Sequence, residues 1–110
     1  MKLTEENVYS CLSEVIDPEL NIDIVSMGLI YDVTLSTVQE ESGAQNKIHI
    51  LMTLTTPGCP LAGVLKEMVE SAMSDLEDIN PKKDVDVEIT FDPPWMMDMM
   101  TDEARAELGY

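Results

Sequence analysis

The sequence predicts an α+β fold in two layers, in which a small mixed sheet carries its helices mainly on one face. Three segments alternate apolar and polar residues as strands do, and three others carry apolar stripes or caps typical of helices. The predicted order along the chain is α-β-β-α-β-α. The first two strands form a hairpin, and the long helix that follows crosses over to the third strand. Because the strands alternate, one face of the sheet should be apolar and the other more polar.

The first helix is predicted over about residues 5–16. Thr4 is a suitable N-cap, and Leu3 and Val8 have the spacing of a hydrophobic staple. One apolar stripe runs along the helix, formed by Val8, Cys11, Leu12, Val15 and Ile16. Cys11 lies within this stripe, so we expect it to be buried as an unreactive core thiol.

The predicted hairpin joins a strand over about 28–38 to a second strand over 47–55. Pro18 ends the first helix, because the residue before a proline avoids helical geometry, and residues 17–27 then form an irregular connection. The polar stretch 39–46 should form a long tip between the two strands. Alternate residues of the second strand share one face, namely Ile48, Ile50, Met52 and Leu54.

The crossover helix is predicted over 60–77, with Pro60 at the first helical position, where its missing N–H costs nothing. Its apolar side carries Leu61, Val64, Leu65, Met68, Val69, Ala72 and Leu76. The third strand alternates at Val85, Val87, Ile89 and Phe91. The segment 92–95 (DPPW) ends it.

The final helix is short, from about 102 to 108. Thr101 should cap its first turn, and Gly109 should stop it.

Composition limits the class of protein. A chain of 110 residues fits one domain, residues 1–110, with a modest core. The net charge of −16 repels phosphate backbones and argues against a nucleic-acid partner, whereas a basic protein partner, cation accumulation or simple solubility is compatible with it. The start of the chain does not resemble a signal peptide, and apolar runs are too short for a membrane span, so we expect a cytoplasmic protein with free thiols.

Cys59 lies between the second predicted strand and the crossover helix. At or beside an N-cap, unpaired amide N–H groups and the helix dipole stabilise an anion, so the thiol pKa should fall below its free value of roughly 8.5. The alternative is a small apolar residue in a turn. A catalytic Cys–His dyad is disfavoured, because His49 is the only histidine and lies ten positions earlier, at the other end of the strand.

Two other groups of residues could carry chemistry. Asp17 and Glu19 are paired carboxylates that could bind a metal or act as acid and base, or could simply end a helix and face solvent. Residues 95–100 (WMMDMM) are rich in methionine, which can ligate soft metals, contact partners or pack on the sheet. Trp95 would then cover the core or bind a partner.

Five segments occur in a specific order: DPEL at 17–20, IVSMGLIY at 24–31, MTLTTPGCP at 52–60, FDPPW at 91–95 and DMM at 98–100. Together they resemble the SufT/PaaD-like family of metal–sulfur cluster biosynthesis proteins, over almost the whole chain. Two positions depart from the family pattern. Met96 replaces a small hydroxyl residue, and Asn21 replaces a common glycine but tolerates the same left-handed backbone.

The resemblance implies an α+β fold of the Fe–S cluster assembly type and a role in maturing Fe–S proteins, beside scaffold or carrier proteins and client apo-proteins. It implies that Cys59 is the reactive cysteine and a transient ligand of iron or of a cluster, with no tightly bound cofactor. It also gives weight to Asp17 and Glu19 as metal ligands. Supporting positions in the turn are Thr55, Thr56, Pro57 and Gly58, and partner-binding positions are Trp95, Met99 and Met100.

Three functions remain open at this point. The first is an accessory factor in Fe–S assembly that is not an enzyme. One cysteine cannot supply the roughly four ligands of a cluster, so a homodimer, partner residues or a small thiol would supply the rest. The second is a cysteine-dependent enzyme acting on a thioester or redox substrate. The third is an accessory protein of a phenylacetyl-CoA ring-oxygenating complex, although the chain lacks a cysteine-rich tail.

Overall fold

The structure is a computed structural model that describes residues 2–18, 20–41, 43–55 and 62–109. Its main elements are α1 (Glu5–Leu12), β1 (Ile30–Glu40), β2 (Gly43–Met52), α2 (Ala62–Ala72), β3 (Val85–Ile89) and α3 (Asp102–Glu107). One-turn 3₁₀ helices at Met73–Asp75 and Met97–Met99 follow α2 and precede α3. The predicted order α-β-β-α-β-α is therefore confirmed.

The three strands form one mixed sheet in the order β1-β2-β3. The central strand, β2, is antiparallel to β1 and parallel to β3. The residues of β2 predicted to share a face are buried as a set, and the core that they help to form also contains residues of α1 and α2. On the other face, Thr34 and Asp86 lie on either side of His49 and are exposed. This is the two-layer arrangement that the alternation predicts.

The first helix is shorter than predicted, because it ends at Leu12. Beyond Leu12 the chain turns, and Val15 accepts a hydrogen bond from the amide of Ile24 (3.0 Å) while Ile16 pairs with Asp23 in an isolated β-bridge. The backbone of residues 15 and 16 is therefore engaged by the returning loop. Ile16 consequently leaves the apolar stripe and is 40% exposed.

The long hairpin tip predicted at 39–46 is wrong. Strand β1 continues to Glu40, β2 begins at Gly43, and these two residues are paired in register. The prediction failed because it required apolar side chains in a strand. Here polar residues continue the ladder beyond the core, and Thr37 and Asn46 also bond across it through their side chains (3.1 Å).

Three predictions for the second half of the chain need correction. The α-helical part of the crossover ends at Ala72, and a 3₁₀ turn carries the chain towards the buried Leu76. Val64 is 48% exposed, because it lies about 100° around the helix from the buried Leu65. Phe91 lies beyond the end of β3 and is 37% exposed.

Both predicted helix caps are present. The Thr4 hydroxyl accepts from the amide of Asn7 (3.0 Å), and the Thr101 hydroxyl accepts from the amide of Ala104 (3.2 Å). Gly109, with φ of +85°, follows α3 as predicted. In the described ranges there is no helix with the length and apolar character needed to cross a membrane.

Candidate functional site

Three connections meet at one end of the sheet. Met52, the last residue of β2, pairs with Ile30 at the start of β1 and with Ile89 at the end of β3. The loop that enters β1, the segment that leaves β2 and the segment that leaves β3 therefore begin or end side by side. These three connections contain every site residue that the sequence predicts.

Backbone hydrogen bonds join the loop before β1 to the segment after β2. The amide of Ile24 donates to Val15, the amide of Leu29 donates to Ile24 (3.1 Å), and the amide of Thr53 donates to Leu29 (2.8 Å). Thr53 is fully buried. The chain that leads from β2 towards Cys59 is thus fixed to the loop that carries Asp17.

Asp17 lies in a tight turn and is only 5% exposed. Its amide donates to the carbonyl oxygen of Ile22 (2.9 Å), and its own carbonyl oxygen accepts from the amide of Asn21 (2.8 Å). Asn21 has φ of +60°, as its replacement of a glycine predicted. The other carboxylate of the predicted pair, Glu19, lies outside the described residues.

The cysteine turn itself also lies outside the described residues: this applies to Thr56, Pro57, Gly58 and Cys59. Thr55 is described and is half-buried. The lowered thiol pKa of Cys59 and its place at a helix N-terminus therefore stay predictions. No cluster of three or more His, Cys, Asp or Glu side chains that could bind a metal occurs within the described ranges.

Cys11 is buried, as predicted, with 2% of its surface exposed. Burial raises the pKa of the Cys11 thiol, and the negative charges of Asp75 and Glu14 raise it further. A thiol that stays protonated is a poor nucleophile and a poor metal ligand.

His49 lies on the exposed face of the sheet, within β2. Its Nε2 atom is 3.1 Å from a carboxylate oxygen of Glu88 and 3.8 Å from one of Asp86, both on β3. The side chain thus interacts with carboxylates across the parallel strand pair.

The methionine-rich segment is fixed to the loop before β1. The indole N–H of Trp95 donates to the carbonyl oxygen of Met27 (2.7 Å), and the Tyr31 hydroxyl donates to the carbonyl oxygen of Pro93 (2.7 Å). The amide of Thr101 donates to the carbonyl oxygen of Ser26 (2.9 Å). Trp95 is half-buried against the core, which is the covering role of its two predicted alternatives.

The methionines of this segment differ in exposure. Met100 is 4% exposed and packs in the core. Met99 is half-buried, and the Tyr31 hydroxyl lies 3.7 Å from its sulfur. Met96 and Met97, which the sequence did not single out for partner contact, are 59% and 43% exposed. Partner binding by Trp95, Met99 and Met100 stays a prediction.

Sequence reasoning missed the residues that receive this segment, Gly28 and Tyr31. Gly28 has φ of +79°, and a Cβ atom built on it would meet the main chain of Met99. A signal was available, because glycine at the start of a predicted strand often marks the close approach of another backbone. The residue that would approach could not be read from the sequence, because it is 71 positions away.

Comparison with known proteins gives consistent relatives. Residues 5–83 match the family described as iron–sulfur cluster assembly protein. The chain is 43% identical to the Fe–S protein maturation auxiliary factor YitW of Bacillus subtilis, covering 96% of this chain and 93% of that one. It is 38% identical to the Fe–S protein maturation auxiliary factor SufT of Staphylococcus aureus, covering 86% and 97%.

Solved structures give the same result. A domain of unknown function from Bacillus anthracis superposes with a TM-score of 0.77 at 37% identity, covering 96% of this chain and 91% of that one. A conserved hypothetical protein from Thermotoga maritima gives 0.74 at 43% identity, covering 99% and 97%. The predicted family and α+β fold are confirmed, and the chain belongs to the iron–sulfur cluster assembly protein family.

Proposed function

We propose that this chain is an accessory factor in the maturation of Fe–S proteins that acts by protein contact, with the Cys59 thiolate as a transient ligand of iron or of a cluster. Iron or the cluster is cargo in this scheme, passed between scaffold or carrier proteins and client apo-proteins. The chain itself is not an enzyme. The proposed compartment is the cytoplasm, where thiols stay reduced.

The observation that carries the proposal is the meeting of three connections at one end of the sheet. The chain leaving β2 towards Cys59 is hydrogen-bonded through Thr53 to Leu29, in the loop that begins near Asp17. The segment after β3 is fixed to the same loop through Trp95 and Met27. A thiol, a nearly buried carboxylate and an exposed apolar segment would thus serve one site.

The chemistry of the two cysteines supports the choice of Cys59. The core position of Cys11 and its raised pKa leave it protonated and shielded. Relatives named as maturation auxiliary factors cover nearly the full length of the chain. Since one thiol cannot hold a whole cluster, a second copy of the chain or a partner would complete the ligand set.

The proposal can be tested in cells that carry this gene. The gene is deleted, and aconitase activity is measured beside an enzyme that has no cluster, in iron-replete and iron-limited growth. The deletion is complemented with the wild type, with Cys59→Ala and with Cys11→Ala, the same substitution at the buried cysteine. Immunoblots establish that all three proteins accumulate equally.

We expect selective loss of aconitase activity that the wild type and Cys11→Ala restore and that Cys59→Ala does not. Restoration by Cys59→Ala would remove the ligand role of the thiol. Unchanged aconitase activity in the deletion, under both iron regimes, would overturn the accessory role itself.

A further inference from the structure

An open groove lies between the turn that follows α1 and one side of α2. Its volume is about 510 Å³. Within the part of the chain that the structure describes, its apolar lining is Val15, Val64, Met68 and Ala72, and its acidic lining is Glu14 and Glu67. Of the described lining, Val15 also takes part in the hydrogen bonds of the loop before β1, because its carbonyl oxygen accepts from the amide of Ile24.

The floor of the groove exposes aliphatic surface. Val64 is 48% exposed, and Met68 and Ala72 are half-buried. Single exposed apolar residues are ordinary, but several in one concave surface mark a place where another molecule docks. A methionine in the floor lets the surface adapt to the side chains that it receives.

The negative charge around the groove favours an occupant that carries positive charge. The described lining contains two glutamates and no basic residue, and Lys66 lies about 160° around α2 from the centre of the groove. Glu14 of the lining and Asp75 both raise the pKa of Cys11, so a second carboxylate acts on the same buried thiol as Glu14. An occupant must therefore combine apolar and cationic side chains.

We propose that this groove binds one amphipathic helix of a partner protein, with its apolar side chains against Val64 and Met68 and its lysines or arginines facing Glu14 and Glu67. The groove runs beside α2, whose 11 residues span about 16 Å, the length of about three helical turns. A second copy of this chain would bring another net charge of −16 to an acidic surface, and an anionic membrane would be repelled.

The groove is also close to the proposed thiol in the sequence. Val64 follows Cys59 by five residues, which limits their separation to at most about 18 Å. A partner helix bound here would bring its protein to the cysteine turn. The groove does not depend on the chemistry of Cys59, so a failure of one proposal leaves the other standing.

The test is an NMR titration of the ¹⁵N-labelled full chain with a synthetic 14-residue helical peptide of leucine and lysine. Its leucines are spaced i, i+3, i+4 and i+7. A second peptide has the same composition with the leucines scrambled. We expect the amide shifts to concentrate at Glu14, Val64, Met68, Ser71 and Ala72, and the scrambled peptide to bind more weakly.

Val64→Asp is the decisive variant, with Val38→Asp as its matched control. Val38 is 45% exposed on β1, and both substitutions add one negative charge to an exposed valine. Attraction to the lysines therefore rises in both variants, and only Val64→Asp removes apolar contact in the groove. We expect Val64→Asp to weaken binding about tenfold and Val38→Asp to leave it unchanged or slightly stronger.

Charge reversal gives a second comparison. Glu67→Lys should weaken binding more than Glu107→Lys, which makes the same change in net charge on α3. The proposal would be overturned if the two variants of either pair weakened binding equally. It would also be overturned if the amide shifts spread over the whole acidic surface, or if the scrambled peptide bound as tightly as the amphipathic one. Analytical ultracentrifugation tests for a dimer of the chain. If the protein dimerises and the amide shifts that accompany dimerisation map to the groove, the groove binds a second copy and the proposal is overturned.

Discussion

Gly28 lies so close to the main chain of Met99 that residue 28 has no room for a side chain, because a Cβ atom there would overlap the Met99 carbonyl oxygen. This contact joins two segments that are 71 positions apart in the sequence. It sets how closely the methionine-rich segment approaches the loop before β1, and the hydrogen bonds of Tyr31 and Trp95 fix the same approach.

We expect Gly28→Ala to lower the free energy of unfolding by at least about 2 kcal/mol, because the positive φ alone costs about 1–2 kcal/mol and the Cβ also meets backbone. Urea denaturation measures the change. Gly63→Ala is the control, since Gly63 lies in α2 with nothing within 4 Å of its added Cβ and should gain about 0.5–1 kcal/mol. Equal effects of the two substitutions would contradict the close approach.

Tyr31→Phe should loosen the segment after β3 without unfolding the protein. It removes the hydroxyl that donates to Pro93, which is worth about 0.5–1.5 kcal/mol. Trp95, the only tryptophan, lies in that segment, so acrylamide should quench its fluorescence more efficiently in the variant. Tyr9→Phe on α1 removes a hydroxyl elsewhere and should leave the quenching as in the wild type.

The turn that holds Asp17 needs a left-handed residue at position 21. Asn21 has φ of +60°, so Asn21→Gly should change stability by less than about 0.5 kcal/mol, whereas Asn21→Ala should lose about 1 kcal/mol. Thermal unfolding of the two variants checks this. An alanine variant as stable as the glycine variant would show that the turn can take another conformation.

Asp84 should make stability depend on pH in acid. Its side chain is 3% exposed and accepts hydrogen bonds from the amide of Asn80 (2.9 Å) and the ammonium group of Lys47 (2.9 Å), and these two bonds lower the pKa of Asp84. As the pH falls, Asp84 therefore takes up a proton at a higher pH in the unfolded chain than in the folded protein. The stabilisation is complete above about pH 4 and is lost as pH falls through the folded pKa.

Urea unfolding between about pH 6 and pH 2.5 tests this expectation. The free energy of unfolding of the Asp84→Asn variant should fall less steeply with decreasing pH than that of the wild type. The difference between the two slopes isolates the contribution of Asp84 from those of the other carboxylates. Asp86→Asn, with a side chain that is 79% exposed, should keep the wild-type slope. Parallel curves for all three proteins would refute the role of Asp84.

The two cysteines should differ in reactivity. We expect iodoacetamide to label Cys59 and spare Cys11 in the native protein at neutral pH, and to label both in urea, because burial and acidic neighbours raise the pKa of Cys11. Mass spectrometry of peptides reads out both sites. In a Cys11→Ser background, the pH midpoint of Cys59 alkylation should lie below the free value of roughly 8.5, and a midpoint at or above it would remove the activated thiolate.

The sequence by itself determined the elements and the family. Period-2 alternation in β2 and β3 and capping residues such as Thr4 and Thr101 act over a few neighbouring residues, so their consequences could be read locally. The order of five motifs pointed to the family that the comparisons confirm. The left-handed backbone at Asn21 agrees with the expectation drawn from the family resemblance, in which a glycine is common at that position.

Only the tertiary structure decided where the elements stop and which distant segments meet. Residues 15 and 16 leave the first helix because the returning loop takes their hydrogen bonds, and the hairpin lengthens because backbone pairing needs no apolar side chains. The contact between Gly28 and Met99 and the groove beside Val64 arise where segments distant in sequence pack together. Such contacts depend on the whole chain's packing, which no local pattern encodes.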